Sequence, residues 1–160
     1  MPTPNMQIPL LECRRLQASL AGPLIKAFAN AMGEQKAIEI AGGVIARQAE
    51  AAGREAARRA GGNSLEHLWQ VIRTTWAGNG ALEIELLAID PHRLEFNVTG
   101  CAYVRMYADL GLAHLGPVLS CSRDGAFARG FNPAVRMERT RTIMEGGPWC
   151  DFRFYLEKEL

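Results

Sequence analysis

The apolar pattern of this chain changes its period at Gly78-Asn79-Gly80, and this change limits the folds that the chain can adopt. Before these residues, apolar side chains recur every three to four positions, which is the period of an α-helix. After them, Leu82 to Ala88 and Arg93 to Thr99 alternate apolar and polar side chains, which is the period of a half-buried strand. Helices followed by antiparallel strands indicate an α+β fold.

The first predicted helix runs from Leu11 to Met32. Its apolar side chains recur every four residues and form a stripe along the helix at Leu16, Leu20, Leu24 and Phe28. Gly22-Pro23 interrupts this pattern. We expect the helix to kink or divide there, because proline removes a backbone hydrogen bond.

Two further helices complete the helical part of the chain, residues 1–77. Glu34 to Ala60 is rich in the strong helix formers Ala, Glu, Gln and Arg, and Gly61-Gly62 ends this helix. Asn63 or Ser64 then caps a third helix, which runs from Leu65 to Trp76. Ala-rich helices with few large core residues also predict a homo-oligomer.

The second part of the chain, residues 78–160, combines strands with helices. Asp90-Pro91 is the turn of a first hairpin between the two strands named above. The other predicted elements are the helices Cys101 to Leu110 and Leu115 to Arg129, and a second hairpin, Val135 to Ile143 with Trp149 to Leu156. The sequence therefore predicts a single α+β domain, residues 1–160, whose N-terminal helices pack on an antiparallel sheet built from two hairpins and intervening helices.

Charge and hydropathy restrict the partners that we expect. The chain has 18 basic and 17 acidic side chains, a net charge of +1. This balance argues against a nucleic-acid partner, which requires a clustered basic surface. No apolar run is long enough to cross a bilayer. Met1 to Leu11 lacks the features of a signal peptide, so we expect a cytoplasmic protein with reduced cysteines.

The candidate catalytic residues are Cys101, Cys121, Asp124 and Cys150. Cys121 and Asp124 are three residues apart on a predicted helix, so their side chains share a face. Cys101 begins a helix, where backbone N–H groups would lower the pKa of its thiol. Two alternatives remain open: the cysteines are small core residues, or the three of them bind a metal ion. Their spacing does not resemble a metal motif, so we predict no cofactor and no metal.

Four polar residues are candidates for contact with a small-molecule substrate: Asn97, Thr99, Tyr103 and Arg139. Asn97 and Thr99 lie on the polar side of the second strand, just before Cys101. An arginine that faces a pocket can bind a substrate carboxylate through two hydrogen bonds. For each of these residues, an exposed or packing role is the alternative.

The second part of the chain resembles the L-2-amino-thiazoline-4-carboxylate hydrolase family, over about residues 95 to 154. Several separated motifs, in the same order, carry the resemblance: Asn97-Val98-Thr99-x-Cys101-x-Tyr103, Tyr107, Gly111, Cys121-x-x-Asp124, Phe131-Asn132-Pro133, Arg139-Thr140-x-Thr142, Gly146 and Cys150-Asp151-Phe152-Arg153. The closing hairpin is also similar to vinyl-reductase-type small-ligand-binding domains.

The family resemblance implies a hydrolase that acts on a cyclic amidine-type C–N bond, for example converting 2-amino-thiazoline-4-carboxylate to N-carbamoyl-cysteine. Asp124 would hold the amidinium and shuttle its proton. A thiolate, Cys121 or Cys101, would attack the amidine carbon, and Cys150 would complete the cluster. Asn97 and Thr99 would stabilise the developing charge, and Arg139 would bind the carboxylate. The alternative function is a small-ligand-binding or sensor module that shares the fold but lacks catalysis.

Overall fold

The structure is a computed structural model that describes residues 7–156. The N-terminal part contains the helices α1 (Leu10–Met32), α2 (Glu34–Ala60) and α3 (Leu65–Val71). Helix α2 has the predicted limits and ends at Gly61, whose φ of 73° is left-handed. The Ser64 hydroxyl caps α3 by accepting a hydrogen bond from the backbone N–H of His67, and the chain continues as a π-helical turn, Ile72–Trp76.

Helix α1 is not divided at Gly22-Pro23, and its buried face is not the predicted stripe. Pro23 lies inside one uninterrupted helix, and the buried residues Ala18, Gly22 and Ile25 lie on both sides of it. Their burial on one face holds the two halves together although proline removes a hydrogen bond. The large apolar side chains of the predicted stripe lie on the exposed side instead, and Leu20 is 68% exposed. Small residues face the core because α1 packs closely: a Cβ on Gly22 would lie 2.5 Å from Leu112.

Four antiparallel strands form one sheet in the order β1-β2-β4-β3. They are β1 (Leu82–Asp90), β2 (Arg93–Cys101), β3 (Val135–Glu138) and β4 (Cys150–Leu156). The predicted first hairpin is present, and Asp90 stabilises its turn by accepting a hydrogen bond from the backbone N–H of His92. The α+β class predicted from the sequence is confirmed.

The second hairpin has a shorter first strand than the sequence predicts. Strand β3 ends at Glu138, and the residues up to Ile143 belong to the connection to β4. The carboxylate of Asp151 holds this connection, because it accepts hydrogen bonds from the backbone N–H groups of Thr140 and Arg141 at 3.0 and 2.9 Å. A side chain therefore replaces the backbone pairing that the prediction assumed.

The two helices predicted between the hairpins are α4 (Ala102–Asp109) and an irregular second segment. This segment contains a 3₁₀ turn (Ala113–Leu115), a π-helical turn (Pro117–Cys121) and α5 (Arg123–Phe131). The predicted helix from Leu115 to Arg129 is helical over most of its length, but it is divided into turns of different type and ends at Phe131. Pro117 is the first residue of the π-helical turn, a position where its missing N–H group costs no hydrogen bond.

The helices cover one face of the sheet. Phe96, Phe152 and Phe154 stack on that face, with ring centroids 4.9 to 6.0 Å apart, and α3 packs against them. Helices α2 and α5 cross in close contact at Gly53 and Gly130. Of the helices in residues 7–156, none combines the length and the apolar character required to cross a membrane.

Candidate active site

A cavity of about 630 Å³ lies between the helices and the covered face of the sheet. All four candidate catalytic residues line it. The sheet contributes Val98, Cys101, Cys150 and Phe152, helices α1 and α2 contribute Arg14, Ala49, Ala52 and Ala56, and the segment that ends in α5 contributes Ser120, Cys121, Arg123, Asp124 and Phe127. Residues that are far apart in the sequence therefore converge on one site.

A β-bulge directs Cys101 into the cavity. Ile84 pairs with Val98 and Glu83 pairs with Gly100, so Thr99 has no partner in β1. Side chains alternate between the faces of a strand, and Cys101 would otherwise share the face of Asn97. The extra residue at the bulge shifts this alternation, and Cys101 lines the same cavity as Val98.

The π-helical turn positions Cys121 and Asp124. Cys121 is the last residue of this turn, and Asp124 lies in the first turn of α5. Turns of this type are rare and occur frequently at functional sites. The predicted approach of the two side chains to one face holds, since both line the cavity.

Arg139 holds the carboxylate of Asp124. Its guanidinium donates a 2.6 Å hydrogen bond to Oδ2 of Asp124 and a 3.0 Å hydrogen bond to the backbone carbonyl of Cys121. It also lies 5.0 Å from the ring centroid of Phe152, a cation–π contact. Three partners thus fix the Arg139 side chain, which is only 13% exposed.

Burial controls the protonation of Asp124. Removal from water raises the pKa of Asp124 to about 6, although Arg139, Arg14 and Arg123 lower it. A carboxylate with this pKa is largely ionised at neutral pH and can exchange a proton near neutrality. Because Arg139 occupies Oδ2, the other carboxylate oxygen is left for a ligand.

Burial raises the pKa of all three cysteine thiols that line the cavity. Burial and the negative charge of Asp124 raise the pKa of Cys121 to about 12. Burial also raises the pKa of Cys150, whose sulfur accepts a 3.2 Å hydrogen bond from the backbone N–H of Ile143. The prediction that a helix start lowers the pKa of Cys101 is wrong: the backbone N–H groups of Val104 and Tyr103 do act in that direction, but burial outweighs them and raises the pKa.

The residues predicted to contact substrate lie in different places. Tyr103 lines the cavity, and its hydroxyl donates a hydrogen bond to the backbone carbonyl of Trp76 at 3.1 Å. Asn97 and Thr99 lie outside the cavity lining. Asn97 accepts a 3.1 Å hydrogen bond from Arg153, and Thr99 is exposed at the bulge. Their predicted role in stabilising charge on the substrate therefore has no geometric support.

The alternative set of metal ligands was Cys101, Cys121 and Cys150. All three line the cavity. Between residues 7 and 156, however, no three His, Cys, Asp or Glu side chains form a group that could hold a metal ion. The cysteines therefore do not form a three-thiolate metal site in this arrangement.

Sequence reasoning missed two cationic residues of the cavity, Arg14 and Arg123. Arg14 belongs to the buried face of α1, because Ala18, Gly22 and Ile25 follow it at helical spacing. That spacing of small residues is the signal that could have identified it. Arg123 directly precedes Asp124, and the turn of the chain that brings it to the cavity is visible only in the structure.

The family model described as L-2-amino-thiazoline-4-carboxylic acid hydrolase matches residues 13–154. The chain belongs to this family. The match extends well beyond the motifs that first indicated the L-2-amino-thiazoline-4-carboxylic acid hydrolase family, since it includes most of α1 and the whole of α2. The matched residues therefore include the parts of α1 and α2 that line the cavity, together with Cys101, Cys121 and Cys150.

The chain is also similar in fold to a solved structure. It is the crystal structure of the phenol-responsive sensory domain of the transcription activator PoxR with phenol. The similarity has a TM-score of 0.57 at 14% sequence identity and covers 87% of this chain and 74% of that chain. At this identity, the likeness shows a shared fold and not a shared activity. No curated protein matches the chain.

Proposed function

We propose that this chain hydrolyses a small cyclic amidine such as 2-amino-thiazoline-4-carboxylate. The observation that carries the proposal is the partly buried Asp124–Arg139 pair, which lines one cavity together with three cysteine side chains. The cavity volume of about 630 Å³ lies within the range for small-ligand sites. Membership of the L-2-amino-thiazoline-4-carboxylic acid hydrolase family supports this substrate class.

Asp124 is the proposed acid–base group. Its ionised carboxylate would accept a hydrogen bond from the amidinium of the substrate and orient the ring. Water would then add across the C–N double bond of the amidine, and Asp124 would accept a proton from this water. Loss of the ring sulfur from the adduct gives N-carbamoyl-cysteine, whereas loss of the ring nitrogen gives S-carbamoyl-cysteine. Either product contains the substrate and one water molecule, so analysis of the product identifies the bond that breaks.

The protonation of the cysteines favours water over a thiolate as the nucleophile. Cys121 has a pKa of about 12, so a thiolate would form only if a base removed its proton first. In this proposal the thiols shape the wall of the cavity beside the reacting carbon. A covalent route through Cys121 or Cys101 is the alternative, and their serine variants distinguish the two routes.

The test is turnover of 2-amino-thiazoline-4-carboxylate by the Asp124→Asn variant. Asparagine keeps the shape of the side chain but cannot accept the proton, so we expect kcat to fall by roughly 10²- to 10⁴-fold. Asp109→Asn is a matched control, because Asp109 is exposed on α4 and pairs only with Arg105 at 3.7 Å. Full activity of the Asp124 variant, with folding verified by circular dichroism, would contradict the proposal.

Single serine variants of Cys101, Cys121 and Cys150 complete the experiment. If water is the nucleophile, all three variants should retain measurable turnover, with changes mainly in KM. Loss of kcat by several orders of magnitude in one folded variant would identify that cysteine as a nucleophile. Loss of folding in the variants would instead indicate a packing role.

The second candidate function is a ligand-binding or sensor module. The observation that favours it is the fold shared with the phenol-responsive sensory domain of PoxR, together with a large and mainly apolar cavity. A binding module should be stabilised by its ligand and release it unchanged. Thermal unfolding and product analysis of the same samples separate the two functions, because only the enzyme consumes the thiazoline.

A further inference from the structure

Arginine side chains of the cavity fall into two groups. Arg139 is paired with Asp124 at 2.6 Å, and Arg59 is paired with Glu55 at 2.7 Å. Arg14 and Arg123, in contrast, have no acidic partner within the described part of the chain. Arg14 donates a 2.8 Å hydrogen bond to the neutral side chain of Gln17. The cavity therefore contains two cations that the protein itself does not neutralise.

These two arginines line the same cavity as Asp124, and the three charges act on one another. Both are half-buried, and both line the cavity as well as the groove between α1 and α2. Burial, and secondly the positive charge of Arg14, lower the pKa of Arg123 to about 10. Their charges also lower the pKa of Asp124. Two half-buried guanidinium groups that repel each other are stabilised when an anion binds between them.

Arg139 is poorly suited to bind the anionic group of a ligand. Its guanidinium already donates to Asp124 and to the backbone carbonyl of Cys121, and its face lies against Phe152. A ligand carboxylate would have to displace Asp124 from it. The sequence predicted that Arg139 binds the carboxylate of the substrate. Arg14 and Arg123 are better suited to this role, because no carboxylate within the described part of the chain pairs with their guanidinium groups.

We propose that Arg14 and Arg123 together bind the anionic group of the ligand, and that this group is a carboxylate. The proposal rests on the proposed function and extends it, because it assigns the two residues that hold the carboxylate end of the substrate. The amidinium then faces Asp124 and the carboxylate faces the arginine pair. Charges of the ligand and of the cavity match at both ends.

Direct binding measurements test this assignment without requiring turnover. The probes are 2-amino-thiazoline-4-carboxylate and 2-amino-thiazoline, which lacks the carboxylate, and the assay is isothermal titration calorimetry. We expect the native protein to bind the carboxylate probe at least about 10-fold more tightly. Arg14→Met and Arg123→Met should each weaken binding of that probe by roughly 10- to 100-fold and leave binding of 2-amino-thiazoline nearly unchanged.

Two further variants control for structure and for charge alone. Arg129→Met removes an exposed arginine from the same helix, α5, and should bind both probes like the native protein. Arg123→Lys keeps the positive charge but loses the planar fork, so its affinity for the carboxylate probe should be intermediate. Circular dichroism verifies that each variant is folded, and Arg123→Lys provides a test if the methionine variant is not.

Three results would overturn the assignment: equal affinity of the native protein for the two probes, native affinity of both methionine variants for the carboxylate, or no binding of the carboxylate to the native protein at millimolar concentration. Failure of the proposed function looks different. Tight binding of the carboxylate probe that depends on Arg14 and Arg123, but without hydrolysis, would contradict the proposed hydrolase activity and support the carboxylate site. Hydrolysis by the native protein, together with native affinity of both methionine variants for the carboxylate probe, would contradict the carboxylate site and support the proposed hydrolase activity.

Discussion

The close crossing of α2 and α5 provides a prediction whose size follows from the structure. Helix α5 carries Asp124, and its Gly130 lies against the backbone of α2. A Cβ added to Gly130 would lie 2.0 Å from the carbonyl oxygen of Glu50, and a Cβ added to Gly53 would lie 2.1 Å from the carbonyl oxygen of Phe127. Carbon and carbonyl oxygen normally approach to no less than about 3.3 Å. Alanine at Gly130 therefore forces the two helices apart by roughly 1 Å.

The cost of this separation exceeds the intrinsic gain from alanine. Overpacking a tight core costs about 1–3 kcal/mol and occasionally more, and the upper end applies here because backbone, rather than a flexible side chain, meets the new methyl group. Replacing a helical glycine by alanine by itself raises the free energy of unfolding by about 0.5–1 kcal/mol. We expect Gly130→Ala to lower the free energy of unfolding by about 2 kcal/mol.

Gly42→Ala is the matched control, since Gly42 also lies within α2 but a Cβ there would meet no atom within 4 Å. This variant should raise the free energy of unfolding by about 0.5–1 kcal/mol. The two variants should then differ by roughly 3 kcal/mol in urea unfolding, or about 6–12 °C in Tm for a chain of this size. Gly130→Ala as stable as Gly42→Ala would refute the view that glycine at this crossing permits backbone contact.

Two further predictions concern Asp124 and α1. Because burial raises the pKa of Asp124 to about 6, the folded state binds more protons than the unfolded state between about pH 4 and 6, and stability falls as pH rises through this range. The free energy of unfolding of the native protein, relative to that of Asp124→Asn, should drop by roughly 2–3 kcal/mol from pH 4 to 7. Over the same range, kcat/KM should rise through about pH 6. A difference in unfolding free energy that does not change with pH would contradict the burial of this carboxylate. The large apolar side chains of the stripe in α1 are exposed, and this exposure is consistent with the predicted homo-oligomer: Leu16, Leu20, Leu24 and Phe28. Light scattering should give a mass above that of one chain, and Leu20→Glu should reduce this mass. A native protein that is monomeric at micromolar concentration would contradict the prediction.

Local patterns in the sequence determined several elements of this fold. The period of the apolar residues, the helix formers of α2, the left-handed Gly61 and the Asp90-Pro91 turn act within a few residues of the chain. Such interactions are nearly the same in any fold, and they were therefore predictable. The family motifs likewise identified Cys101, Cys121, Asp124 and Cys150 as residues that share a cavity.

Only the tertiary structure decided which side chains point into the cavity and how they are charged. The bulge at Thr99 turns Cys101 into the cavity, and the pairing of Arg139 with Asp124 leaves Arg14 and Arg123 as its unneutralised cations. The helix start at Cys101 favours a thiolate in isolation, but burial under other elements outweighs it. The physical reason is that desolvation and ion pairing depend on neighbours distant in sequence, and a local pattern contains no information about them.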